Sequence, residues 1–130
     1  MSAMNPHAQY LKTRVLTASP GELVVMLYDA LFQRIRHAKL CFEDQTWPKA
    51  GEVLRNAQDI LTELMASLRP EHAPDLAKNL FELYSFSKRK LVEAYGTKNV
   101  ALLDEVIRVL QPLRDAWAEA DRSLREGRPS

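Results

Sequence analysis

The stretch Ala18-Ser19-Pro20-Gly21-Glu22-Leu23-Val24-Val25-Met26-Leu27-Tyr28-Asp29 holds both a helix start and more apolar side chains than one buried helix face needs. Ser19 carries the hydroxyl of an N-cap, able to accept from a backbone N–H that has no partner inside the helix. Pro20 takes the first helical position, where its fixed φ suits the helix and its missing N–H costs nothing. Glu22 stands three residues after the cap, so its carboxylate can reach back to the Ser19 amide and close a capping box. The same negative charge lies at the positive end of the helix dipole. Ser19, Pro20 and Glu22 therefore mark a helix N-terminus.

Downstream, Val24, Tyr28, Leu31, Ile35, Ala38 and Phe42 recur at spacings of three and four, a single seam along one helix. Leu23, Leu27 and Ala30 widen it. Val25, Met26 and Phe32 do not belong to it, since at about 100° per residue they fall on the flanks of the polar side beside Asp29, Gln33 and Arg36. Two readings follow. The helix is central and packed on two sides within its own domain, or the second apolar face is a groove floor for a partner helix.

Outward from this helix the pattern repeats. Asp44-Gln45-Thr46-Trp47-Pro48 breaks it, and the next helix runs to Leu68 with Ala50, Leu54, Ala57, Leu61, Leu64 and Leu68 on one seam. Arg69-Pro70-Glu71-His72-Ala73-Pro74 is a second break. Beyond it Ala77, Leu80, Tyr84, Ser87 and Leu91 form a seam, with Leu76, Phe81, Leu83 and Phe86 outside it. Gly96 reads as a C-cap in the left-handed conformation and Asn99 as the N-cap of the last helix. There Leu103, Val106, Leu110, Leu113, Trp117, Ala120 and Leu124 repeat without a miss. Pro112 removes the bond to the Arg108 carbonyl, so a kink is expected. Residues 1–18 hold too few apolar anchors for an independent helix and read as an arm, a displaceable flap with at most a short helix. The expected fold is all-α: an antiparallel up-down-up-down four-helix bundle over residues 19–125, preceded by the arm and followed by a frayed 126–130.

Composition narrows the function classes. The chain has 130 residues, one domain by length, and a net charge of +1, which gives no global pull toward nucleic acid or anionic membrane. Cys41 is the one cysteine, so no internal disulfide forms. No signal peptide and no apolar run of membrane-spanning length are evident, and the cytoplasm is the expected compartment. No convergent catalytic groups, metal ligands or cofactor loop appear. No Glu stands three residues before His7, His37 or His72, as the ligands of di-iron bundles require. His37 with Cys41 one turn on is a faint metal pairing without a second pair. A phosphotransfer bundle using His37 is the alternative from another class. In His37-Ala38-Lys39-Leu40-Cys41 the lysine is present, but no glycine clears space for phosphate. A third reading is a structural module that satisfies its apolar faces as a homodimer.

The chain resembles the FliS-type flagellin-specific export chaperones of bacteria. The resemblance rests on Ala18-Ser19-Pro20-Gly21-Glu22-Leu23 with Met26-Leu27-Tyr28-Asp29, on Tyr10 in the arm, on Leu83-Tyr84 with Arg89-Lys90-Leu91 and Ala94, and on Asp115-Ala116-Trp117. It implies a cytoplasmic, non-catalytic bundle that binds the C-terminal segment of flagellin. That segment is disordered alone and helical when wrapped around the chaperone, so its capture prevents premature polymerisation. It further implies delivery to the membrane gate of the flagellar type III export apparatus. Against the family pattern, Tyr95 stands where asparagine is common, Ser87 replaces a larger apolar residue, Pro112 is unusual, and His7 stands where an apolar residue often partners the arm tyrosine. The expected flagellin groove is Val25, Met26, Phe32, Leu83 and Phe86, with Asp29, Gln33 and Lys90 as polar rim. His7, Tyr10 and Leu11 belong to the displaceable arm and to docking at the gate.

Overall fold

The computed structural model describes residues 19–127 together with Pro6 and Gln9. The arm residues His7, Tyr10 and Leu11, like 128–130, lie outside the described residues. Four helices follow one another: α1 (Pro20–Asp44), α2 (Trp47–Ala66), α3 (Pro74–Thr97) and α4 (Val100–Glu126).

Local chemistry sets their ends. The capping box is complete: Ser19 Oγ accepts from the Glu22 amide at 3.1 Å, and Glu22 Oε1 accepts from the Ser19 amide at 3.1 Å. At the other end of α1, Gln45 turns left-handed (φ 58°) and its amide donates to the Cys41 and Phe42 carbonyls. α2 starts at Trp47 with Pro48 in its first turn, and Thr46 supplies no side-chain cap. Gly96 is not the C-cap of α3. The helix passes through it to Thr97, and Lys98 takes the left-handed position instead (φ 54°). That strain is partly offset, since the Lys98 ammonium sits 4.8 Å from the centroid of the Trp47 ring. Asn99 caps α4 as expected, its side chain accepting from the Ala101 amide at 3.0 Å. α4 continues through Pro112 as one helix.

Packing closes a ring. α1 meets α2 and α4, and α3 meets the same two. Cross-links between α1 and α4 fix an antiparallel register: Ser19 bonds Asp121, Asp29 bonds Arg114, and Lys39 pairs with Asp104 at 2.5 Å. α2 and α3 run antiparallel too, with Trp47 meeting Tyr95 and Thr62 meeting Lys88. Inside, the four seams interdigitate. Leu31, Ile35, Ala50, Leu61, Leu91, Leu103, Val106 and Leu110 are all closed to solvent. Truncating such a leucine to alanine costs about 2–5 kcal/mol.

Candidate functional site

The ring is sealed at one end and loose at the other. Where α1 begins and α4 finishes, the core stops before the helices do, whereas on α2 and α3 it persists to Leu64 and Ala77, within a turn of the helix ends. Fully buried apolar positions begin only at Tyr28 on α1 and end at Leu110 on α4. Beyond those points Val24, Leu27, Leu113 and Trp117 pack against the core while staying partly exposed, and hollows open beside them. A hollow of about 190 Å³ is lined by Val24, Leu68, Leu76, Leu80, Tyr84 and Trp117. A second of about 430 Å³ shares Val24 and Trp117 and adds Leu23, Leu27 and Ala66. Leu76 at the mouth is 56% exposed. Between α2 and α3, Met65, Leu68, Pro74 and Phe81 line a further recess of about 320 Å³. Water in such apolar surroundings finds few hydrogen-bond partners, so apolar side chains entering from outside displace it favourably.

Tyr84 lines the first hollow, and its hydroxyl meets that of Tyr28 at 2.5 Å. Burial pushes both phenols above the ordinary tyrosine range; for Tyr28 the bond to Tyr84 adds to this, whereas for Tyr84 the bond works the other way. This end of the core is therefore apolar with one neutral polar pair across it.

The expected groove residues fall into separate places. Val25, Met26 and Asp29 come together in a groove of about 300 Å³ between α1 and α4, where Ala118 shares the lining. Charged pairs stand along it. Asp29 accepts from Arg114 Nε at 2.9 Å and Nη2 at 3.2 Å, a bidentate pair that pushes the guanidinium's proton affinity up. The Asp29 carboxylate thus already holds an internal partner. Gln33, one turn further along α1, is exposed.

Phe32 differs from expectation. It is 2% exposed and belongs to the core, its ring centroid 6.2 Å from that of Tyr28. The reason is that α1 is covered by α4 as well as α2, so its buried arc is wider than one seam, and Phe32 lies one turn after Asp29 on the α4 side. For this residue the double-packed reading holds, rather than the groove floor.

Leu83, Phe86 and Lys90 are half-buried on α3. By the helical period they lie on the flank opposite Phe81 and Lys88, which meet α2, so they border α4 from its other side. The Lys90 ammonium sits 5.3 Å from the Phe86 ring centroid and 3.6 Å from Glu93. The two sets therefore flank α4 instead of sharing one trough.

Trp117, Leu68 and Leu76 were not among the expected contacts. For Trp117 and Leu68 a signal was present in the seams, which run on to both residues; Leu76 lies outside its seam and had none. His37 is half-buried, Cys41 is buried, and Lys39 is engaged by Asp104. Among the described residues no group of three or more His, Cys, Asp or Glu could hold a metal ion, and no helix is long and apolar enough to cross a membrane.

The profile of a family described as "Flagellar protein FliS" matches residues 3–124. Among curated proteins, the flagellar secretion chaperone FliS of Bacillus subtilis (strain 168) is 34% identical over 128 residues, covering 98% of this chain and 95% of that one. The protein of the same name from Escherichia coli (strain K12) is 32% identical over 111 residues, covering 85% and 82%. That of Vibrio cholerae is 31% identical over 105 residues, covering 81% and 77%.

Proposed function

The chain belongs to the FliS family of flagellar proteins, and from that membership we propose that it is an export chaperone for flagellin, capturing the C-terminal segment of the newly made subunit and handing it to the flagellar type III export gate. The observation that carries this reading is the loose end of the bundle. A well-packed core gives way to apolar hollows around Val24, Leu76, Leu80 and Trp117. A disordered segment that folds on binding needs a ready apolar surface, because burial must outweigh its ordering cost. Burial is worth about 25 cal/mol per Å² of apolar surface, and both hollows are lined mainly by aliphatic and aromatic groups.

The groove residues keep a place in this reading. Val25 and Met26 on one side of α4, and Leu83 and Phe86 on the other, give a guest that wraps the bundle further apolar contacts. Gln33 and Lys90 act as polar rim. Asp29, already tied to Arg114, presents the guest with an ion pair instead of a free carboxylate. The arm with His7, Tyr10 and Leu11 is a flap that the guest displaces and that takes part in docking at the gate. The work is binding without catalysis, and it is done in the cytoplasm.

The test is a pull-down of flagellin, and of flagellin lacking its C-terminal segment, by the intact chain. Capture of the full-length subunit alone is expected, as a one-to-one complex in analytical ultracentrifugation. Met26→Asp and Phe86→Asp should each weaken capture at least tenfold with the helical circular dichroism unchanged. Equal capture of the truncated flagellin, or a self-associated chain that ignores flagellin, would contradict the proposal.

A further inference from the structure

α4 has two unlike halves. Up to Leu110 its seam is sealed in the core. Beyond Pro112 the burial loosens: Leu113 and Trp117 are only partly buried against the core, Trp117 lines both hollows, and Leu124 is 68% exposed. What fastens this distal half to the bundle beyond Trp117 is polar. Asp121, although charged, is only 8% exposed. Its Oδ1 accepts from Ser19 Oγ at 2.9 Å, and its Oδ2 lies 3.2 Å from Arg125 Nη2. Arg125 in turn lies 3.6 Å from Glu22 Oε2, a member of the α1 capping box. A Cβ on Gly21 would stand 2.7 Å from Asp121 Oδ1, so Asp121 sits close on the first turn of α1 and a larger residue at 21 would have to displace its carboxylate.

Between the two halves stands Pro112. It supplies no N–H to the Arg108 carbonyl and its ring crowds that turn, which makes this the point of least bending stiffness in the helix. A sealed half, a proline and a half held by a polar fastening make up a hinge, an arm and a latch.

We propose that residues 113–126 are a gate over the apolar hollows, hinged at Pro112 and latched to α1 at two points, through Asp121 at its first turn and through the bidentate Arg114–Asp29 pair further along. Opening carries Trp117 away from Val24 and Leu80 and widens the hollow, and closing restores the bond from Ser19 to Asp121. Asp121 is a positioning residue in this scheme, acting through α1 and Arg125 rather than on a guest. The gate's use rests on the hollows being the seat for flagellin. Its existence does not, so it is tested on the free chain.

The experiment is amide hydrogen exchange, followed by segment, on the intact protein and on Asp121→Ala, Arg125→Ala and Pro112→Ala. Residues 113–126 should exchange well before 103–111 in the unaltered chain. Asp121→Ala should speed 113–126 about tenfold, the factor matching one lost charge-assisted hydrogen bond. Exchange in 103–111 should stay as it was. Arg125→Ala, at a mostly exposed position that cannot unfold the bundle, should act in the same direction. Pro112→Ala restores the backbone bond and should slow 113–126. A uniform acceleration of all four helices in Asp121→Ala would overturn the gate, as it would show loss of global stability. So would a Pro112→Ala chain whose distal half exchanges unchanged.

Discussion

Tyr28 and Tyr84 meet hydroxyl to hydroxyl inside an otherwise apolar core, and each depends on the other for its hydrogen bond. Removing one partner strands the other, whereas removing both leaves an apolar contact of nearly the same shape. Tyr28→Phe and Tyr84→Phe should therefore each destabilise by about 1–3 kcal/mol, and the double variant by less than the sum of the two. Denaturant unfolding of the four-member cycle checks this; strict additivity would show that the pair does not act as a unit. The same burial predicts an alkaline limit. Both phenols titrate above the unfolded-state value of about 10, so their contribution is complete below that pH and is lost as pH climbs through the folded-state values. Of the four tyrosines in the chain, Tyr28 and Tyr84 should stay un-ionised by ultraviolet absorbance until the bundle unfolds. At this scale the sequence showed two seam tyrosines but not that they face each other, because that depends on the rotation of α1 relative to α3. Gly51 was equally opaque. A Cβ there would stand 3.0 Å from the Tyr95 phenol, which lies across α2 and donates to the Trp47 carbonyl at 3.1 Å.

Among the elements, α1 was the most legible. Its capping box, its proline and its seam all pointed to one helix, with apolar residues beyond one buried face, and cap, proline and helix are found in place. What periodicity alone could not settle was how many neighbours α1 has. Phe32 lies on a flank that looks polar in sequence because Asp29 and Arg36 share it, and only the presence of α4 along that flank buries it. Gly96 misled for a related reason. A left-handed cap is cheapest at glycine, yet the chain turns two residues later at Lys98, where the neighbouring Trp47 ring offers the ammonium a partner. The cap of α1 also has a tertiary role, since Ser19 Oγ serves both the Glu22 amide and Asp121. Ser19→Ala should therefore cost more than the ~1 kcal/mol of an ordinary N-cap. Its excess should vanish in an Asp121→Ala background when the melting temperatures of the single and double variants are compared; an undiminished excess there would mean that the two residues act independently.

For the whole molecule, fold class and helix order were open to reading because each seam is long and each break carries proline, glycine or an Asx residue. The guest-binding surface was less so. Sequence pointed to surplus apolar residues on the first and third helices, but an opening at one end of a ring depends on where each neighbour stops, which no single helix records. α4 passes the start of α1 only after Asp121, which leaves Leu124 exposed, while Trp117 beside Val24 is partly buried at the edge of the hollows. In the proposed function this loose apolar end receives flagellin. Trp117 is one of two tryptophans, so a Trp47→Phe chain carries a single reporter inside the hollow. The most direct measurement is its fluorescence as a peptide of the flagellin C-terminal segment is titrated in. The emission should shift to the blue and saturate at one peptide per chain as apolar side chains displace water around the indole. A peptide that binds at one to one, by calorimetry on the same sample, while the Trp117 emission stays where it was would contradict the account.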